Sequence, residues 1–255
     1  MLFTWKAGEV LVSNKFKIFG IEIDRVTMDE AITIFESLMY SDKTNQIVTP
    51  NSEIINCAKK DKSYAGVINR ASLVIPDGIG LVIASKIKGA PLKERVAGID
   101  FAYNALRSCA RLKKTVFLLG GKPGVAKEAA EKLMAEIPDL QIVGTHDGYF
   151  LEEEEPYIAK EIRASKANFL LVATGFPKQE FFIARHKADL PDVKAAAGVG
   201  GSFDVWSGRT KRAPKFFLDH GLEWLYRTAK EPKRIKRIVV IPFFILKVLF
   251  DGKDK

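Results

Sequence analysis

A chain of 255 residues, 47% of them hydrophobic, can bury a full core as one large domain or one domain with a small appendage, and is not a disordered tail. Its two cysteines, Cys57 and Cys109, exclude a disulfide framework and lack the close spacing of a zinc or redox motif, which fits a reducing compartment. The net charge of +9 points to an anionic partner, whether nucleic acid, acidic lipid or a diphosphate substrate.

Residues 1–16 hold no apolar run that would serve as a signal-peptide core, because Lys6, Glu9, Asn14 and Lys15 interrupt it, so the expected location is the cytoplasm. A strand is expected over 16–23. Thr27-Met-Asp-Glu30 is a capping box that starts a helix, with Ala31, Ile34, Phe35 and Leu38 on one face. A short strand over 46–49 runs into Pro50-Asn51-Ser52-Glu53, a second helix start, and a strand over 72–75 closes on Pro76-Asp77-Gly78. Brief apolar runs at 115–119, 141–145, 169–173 and 194–197 alternate with helical stretches at 125–136, 153–165 and 177–187. Short apolar strands alternating with amphipathic helices predict a Rossmann-like α/β fold, a largely parallel sheet with helices on both faces.

The pattern changes near Gly208, which predicts an α/β core over 1–208 and a basic, aromatic, helical appendage over 209–255. Much of the positive charge falls after that point, in Arg209, Lys211, Arg212, Lys215, Arg227, Lys230, Lys233, Arg234, Lys236 and Arg237. The apolar run 238–250 follows, interrupted by Pro242 and Lys247. Crossing a bilayer takes ~20 apolar residues, so this run is expected to lie on an anionic membrane surface rather than span it.

Ligands of open parallel sheets bind at the carboxyl ends of the strands. Gly120-Gly121-Lys-Pro-Gly124 follows one strand and lets backbone amides approach a phosphate. It is neither a Walker A loop nor a dinucleotide fingerprint, and a plain strand-to-helix turn explains it equally well. Gly175-Phe-Pro-Lys178-Gln179-Glu180 and Gly198-Val-Gly200-Gly201-Ser-Phe-Asp204 follow two more strands. Tight turns with a capping Asp are one reading of this pair. A crevice for a nucleoside diphosphate is the favoured one, with Lys178 or Gln179 near the phosphates and Asp204 on ribose hydroxyls. Thr49, Asn51 and Asp77 end strands that line the same crevice, and Arg95 arrives from a loop. By pattern alone Asp77 is more readily a turn residue than a catalyst.

Together, Thr49-Pro-Asn-Ser-Glu53, Pro76-Asp-Gly-Ile-Gly80, Glu94-Arg-Val-Ala-Gly98, Gly144-Thr-His-Asp-Gly-Tyr-Phe150, Gly175-Phe-Pro-Lys-Gln-Glu180 and Gly198-Val-Gly-Gly-Ser-Phe-Asp204 resemble the WecG/TagA/CpsF glycosyltransferase family in order and approximate spacing. Leu222-Glu-Trp-Leu-Tyr-Arg227 and Glu231-Pro-Lys-Arg-Ile-Lys-Arg237 are similar to that family's C-terminal appendage. The resemblance implies a metal-independent, cofactor-free, inverting transferase, peripheral on the inner face of the cell membrane, that uses a UDP-amino sugar donor and an undecaprenyl-diphosphate-linked acceptor. It is nearest to the wall teichoic acid members, which transfer N-acetylmannosamine. It also implies that Asp77 is the general base, that Thr49, Asn51, Arg95 and Gln179 are its active-site partners, and that Arg227, Arg234 and Arg237 reach the substrate diphosphates. Self-association able to mask the tail is a further implication.

The residues agree with that chemistry. Inversion by single displacement needs one base and stabilisation of a departing diphosphate. No Asp-x-Asp occurs, so arginines and backbone amides are expected to replace a metal-carboxylate clamp. The acidic run 152–155 reads as a solvated helix start, and His146, His186 and His220 are not paired at ligand spacing. An NAD-dependent oxidoreductase lacks its fingerprint here, and a nucleic-acid-binding tail would not need the apolar run behind its charge, so no nucleic-acid partner is expected. The donor sugar is not legible in any single residue.

Overall fold

The computed structural model describes residues 15–214, 216, 217, 225, 226 and 240–250. It opens with a hairpin, β1 (Lys15–Ile18) antiparallel to β2 (Ile21–Asp24). The single strand expected over 16–23 is therefore two. Phe19 and Gly20 both take positive φ, 49° and 80°, which is the backbone of a tight two-residue turn whose twist suits a hairpin. Phe16, Ile18, Ile21 and Ile23 alternate inward.

α1 (Met28–Leu38) carries the expected capping box, with the Thr27 hydroxyl accepting from Glu30 N and the Glu30 carboxylate accepting from Thr27 N. β3 (Asn45–Val48), α2 (Ser52–Lys60), α3 (Lys62–Asn69) and β4 (Leu73–Val74) follow. α4 (Ile79–Ile87) and α5 (Gly98–Arg111) then cross to the sheet's other half. The rest alternates: β5 (Thr115–Gly120), α6 (Val125–Glu136), β6 (Gln141–His146), α7 (Glu155–Ser165), β7 (Phe169–Ala173), α8 (Lys178–His186), β8 (Ala195–Gly198) and α9 (Ser202–Trp206). The acidic run forms a single 3-10 turn, Glu152–Glu154, that leads into α7.

Six strands form one parallel sheet in the order β4-β3-β8-β7-β5-β6. Helices cover both faces, and the period of two is visible in where side chains go. Val116 and Leu118 of β5, Phe169 and Leu171 of β7, and Ala195 and Ala197 of β8 enter one core with α1, α5 and α6. Their neighbours Phe117, Leu119, Leu170, Val172 and Ala196 enter a second, with α7 and α8. β5, β7 and β8 are thus buried on both sides, which is why they read as continuous apolar runs.

A third cluster joins the hairpin, α2, α3 and α4 to the last described helix, α10 (Val240–Phe250). Phe244 and Val248 are buried there beside Leu81, Ala84, Ile54 and Ile55, and the Phe244 ring meets Phe19 edge-on at 5.8 Å. Phe243, Leu246, Leu249 and Phe250 point outward. Among the described residues no helix is long and apolar enough to cross a membrane. Two arginines of the basic segment are held by the core: Arg209 makes a bidentate contact with Glu128 of α6 at 2.8 and 2.7 Å, and Arg212 binds Asp100 of α5. Their charge is largely neutralised where they sit.

Candidate active site

A cleft of about 720 Å3 opens at the carboxyl edge of the sheet. Thr49 and Asn51 reach it from β3, Asp77 from β4, Gly121 from β5, Thr174 and Gly175 from β7, and Gly200 and Gly201 from β8. Gln179 enters from the first turn of α8 and Asp204 from α9. Sequentially distant residues meet because the parallel strands all end on the same edge.

Local chemistry fixes each approach. Asn51 is the N-cap of α2, its side-chain oxygen accepting from Glu53 N at 2.9 Å and Ile54 N at 3.1 Å, so only its NH2 remains to face a ligand. The backbone N–H of Asp77 donates to Pro50 O at 3.1 Å, which ties the β4 turn to the β3 turn and brings Asp77 beside Asn51. Gly78 follows at φ 94°, a left-handed geometry that a residue with a side chain adopts only with strain. The Thr49 hydroxyl donates to Gly198 O at 3.3 Å across the β3–β8 pair.

α5 begins against this corner. A Cβ on Gly98 would lie 2.9 Å from Thr49 Oγ1, so glycine is what lets the helix start so close. Ala97, Gly98 and Ile99 line the cleft, and no side chain caps this helix. The uncapped start of this helix, where the positive end of the helix dipole lies, therefore sits at the cleft, an arrangement suited to an anion.

The glycine turns divide into two kinds. Gly200 takes φ 50° with open space where a Cβ would be, which leaves room for a ligand beside it although its N–H is donated to Gln179 Oε1 at 3.1 Å. Gly120 is turned inward: a Cβ there would lie 2.5 Å from the Ala173 carbonyl carbon, and it does not line the cleft, whereas Gly121 does. Gly121 is further tied to the β6 loop by Gly148 N donating to its carbonyl at 2.8 Å.

Besides Gly120, two more expected residues stand apart from the cleft lining. Lys178 donates from Nζ to Phe150 O at 2.7 Å and lies 3.7 Å over the Phe150 ring. Arg95 sits half-buried in the loop before α5, whose next residue, Val96, donates from its backbone N–H to Pro76 O at 3.0 Å. Arg227, Arg234 and Arg237 lie outside the described residues. Glu53, Asp77 and Asp204 line the cleft, but among the described residues no three His, Cys, Asp or Glu side chains come together as a metal-holding group.

Sequence reasoning missed Tyr149, which lines the cleft while remaining 69% exposed. Its signal lay inside the Gly144–Phe150 motif, but it needed the fold-back of Gly148 onto Gly121 to be seen. An exposed aromatic at a cleft mouth offers a face for a planar ring. Glu180 was also given no role. It is 1% exposed, and burial pushes its carboxyl above the usual range although Gln179 and Tyr64 donate to it.

A parallel sheet with a polar, glycine-lined cleft at its carboxyl edge defines the chain as an α/β protein of the doubly wound, ligand-binding kind. Within that class it belongs to the family described as "Glycosyl transferase WecG/TagA/CpsF family", whose sequence profile matches residues 16–255. It is similar to the N-acetylglucosaminyldiphosphoundecaprenol N-acetyl-beta-D-mannosaminyltransferase of Bacillus spizizenii, with 39% identity over 227 residues, 87% of each chain. The proteins of the same name from Bacillus subtilis strain 168 and Staphylococcus aureus strain MRSA252 are 38% and 35% identical. The former match covers 82% of this chain and 80% of the relative, the latter 92% of each.

Proposed function

We propose that this chain transfers N-acetylmannosamine from its UDP form to N-acetylglucosamine carried on undecaprenyl diphosphate, with inversion at the sugar and without a metal ion. The observation that carries the reading is the convergence of Thr49, Asn51, Asp77 and Gln179 with the turns at Gly121 and Gly200–Gly201 in one cleft. The names of the relatives supply the substrate class.

The step is a single displacement. The acceptor hydroxyl oxygen attacks the anomeric carbon, the Asp77 carboxylate takes its proton, and the bond to the diphosphate oxygen breaks as UDP leaves. Thr49, the Asn51 NH2 and Gln179 orient the sugars around that carbon, with Arg95 in support from its loop. The Gly121 and Gly200–Gly201 turns make room for the diphosphate, and the Gly201 amide and the open end of α5 donate to it, helped by Lys178 when its side chain leaves Phe150. Asp204 takes the ribose hydroxyls and Tyr149 the uracil face. Arg227, Arg234 and Arg237 neutralise the leaving charge with their planar forks.

The core over 1–208 and the appendage over 209–255 divide this labour. The outward apolar face of α10 and the basic segment before it settle on the anionic inner surface of the cell membrane, where the lipid-linked acceptor resides. Self-association belongs to the same proposal as a way to cover that face.

Asp77→Asn tests the reading. The amide keeps the shape and cannot accept the proton, so turnover should fall by about 100-fold or more while UDP affinity stays near wild type. Turnover within a few-fold of wild type would return Asp77 to a turn residue.

A further inference from the structure

Beneath the cleft lies a chain of polar groups that the proposed mechanism does not use. Glu180 follows Gln179 at the start of α8 and turns the other way, into the space between α3 and β8. Its Oε1 accepts from Gln179 Nε2 at 2.6 Å and its Oε2 from the Tyr64 hydroxyl at 3.0 Å. Its backbone carbonyl accepts from Gln46 Nε2 of β3 at 3.0 Å. Tyr64 is fully buried, and burial beside Glu180 pushes its hydroxyl well above the ordinary tyrosine range, so it stays a donor.

The other end of Gln179 carries the consequence. Gln179 Oε1 accepts from the backbone N–H of Gly200 at 3.1 Å. A backbone amide can only donate, so the end of the carboxamide facing Gly200 must be oxygen, and the NH2 must face Glu180. A carboxyl oxygen on Glu180 is what makes that orientation the favourable one. Gly198 makes room for the pair: a Cβ there would lie 2.4 Å from Gln179 Nε2 and 2.9 Å from Glu180 Oε1.

We propose that Glu180, steadied by Tyr64, is a positioning residue that locks the Gln179 carboxamide in one orientation and through it holds the Gly200–Gly201 turn open to the donor. The role lies beneath the cleft and touches no substrate. Its expected effect on donor use rests on the glycosyl-transfer reading, whereas its effect on the turn does not.

The test reads both. In the full-length protein, NMR should show two distinct, slowly exchanging Gln179 carboxamide protons and a protected Gly200 amide. Glu180→Leu keeps most of the volume and removes the acceptor. It should speed exchange at Gly200 by about tenfold, the equivalent of one lost hydrogen bond, and raise the donor KM by about as much with the acceptor KM little changed. Glu180→Gln keeps an oxygen for Gln179, since its NH2 can face Tyr64 once that hydroxyl turns to accept. It should therefore restore both readouts to near wild type, whereas a space-filling role for Glu180 would leave Glu180→Leu near wild type as well.

A Gly200 amide unaffected in folded Glu180→Leu would overturn the proposal. If that variant does not fold, the wild-type protein decides alone, and a Gln179 carboxamide exchanging at the rate of an exposed side chain would refute it. If the exchange results hold and the wild-type protein transfers no sugar, it is the proposed reaction that fails and the positioning role that stands.

Discussion

Two glycines at the ends of β5 and β8, the strands that flank β7, separate the physical roles that a glycine-rich turn combines. Gly120 packs its Cα face against the backbone of β7 at a φ of 134°, so that an added Cβ would lie 2.5 Å from the Ala173 carbonyl carbon. A methyl group there meets immobile backbone and an unfavourable dihedral at once. Gly120→Ala should lower stability by about 1–3 kcal/mol or more, seen as a lower melting temperature. Gly198 faces instead the side chains of Gln179 and Glu180, which can shift. Gly198→Ala should cost less in melting temperature and more in turnover, about tenfold, because it dislodges the carboxamide that carries Gly200. Equal losses of stability with no separation in turnover would show that both glycines serve packing alone.

At the same scale, the sequence marked residue types better than directions. Thr49, Asn51, Asp77, Gln179 and Asp204 were placed in one crevice from strand ends alone, and they line one cleft. Lys178 was expected near phosphates as the cation of its motif, yet its ammonium rests on Phe150. Neighbours on a helix point about 100° apart, so Lys178 and Gln179 leave α8 in different directions, and the packing of α8 puts Gln179 in the cleft lining and Lys178 on Phe150. Glu180 was invisible as a functional residue because its partners, Tyr64 and Gln46, are more than a hundred positions away.

Among elements, α10 shows how one helix carries two surfaces. Its apolar run has no polar stripe to mark an inner face, so the sequence reading gave it wholly to the membrane. The structure turns Phe244 and Val248 into the cluster with α2 and α4 and leaves Phe243, Leu246, Leu249 and Phe250 outside. Phe244→Ala should destabilise the protein by ~3–5 kcal/mol, the usual cost of emptying a buried aromatic site. Phe243→Ser together with Leu246→Ser should leave the melting temperature within about a degree or two and weaken sedimentation with anionic vesicles. A Phe244→Ala protein as stable as wild type, or a double variant that binds vesicles unchanged, would contradict this division. α4 and α5 were not delimited in the sequence for a related reason. α4 is apolar on most sides, and α5 starts at a glycine with no side-chain cap, so neither carries a start signal.

For the whole molecule, the alternation of short strands and helices was enough to predict the parallel sheet, because burial on both faces forces continuous apolar strands. What it left open is how core and appendage meet. Arg209 and Arg212 are paired with Glu128 and Asp100, and α10 closes a core cluster, so removing 209–255 exposes Leu81, Ala84 and Ile54. A test of the appendage is better made on the full chain with the outward residues changed than on a truncated core. The same holds for the central claim, which is transfer of a sugar from UDP to a lipid-linked acceptor. The direct measurement is UDP release by the purified full-length protein from UDP-N-acetylmannosamine with a short-chain lipid-diphosphate N-acetylglucosamine acceptor, in the presence of EDTA. The account predicts release that depends on the acceptor, forms the disaccharide lipid and continues undiminished under the chelator. No acceptor-dependent release, or release abolished by EDTA and restored by magnesium, would contradict it.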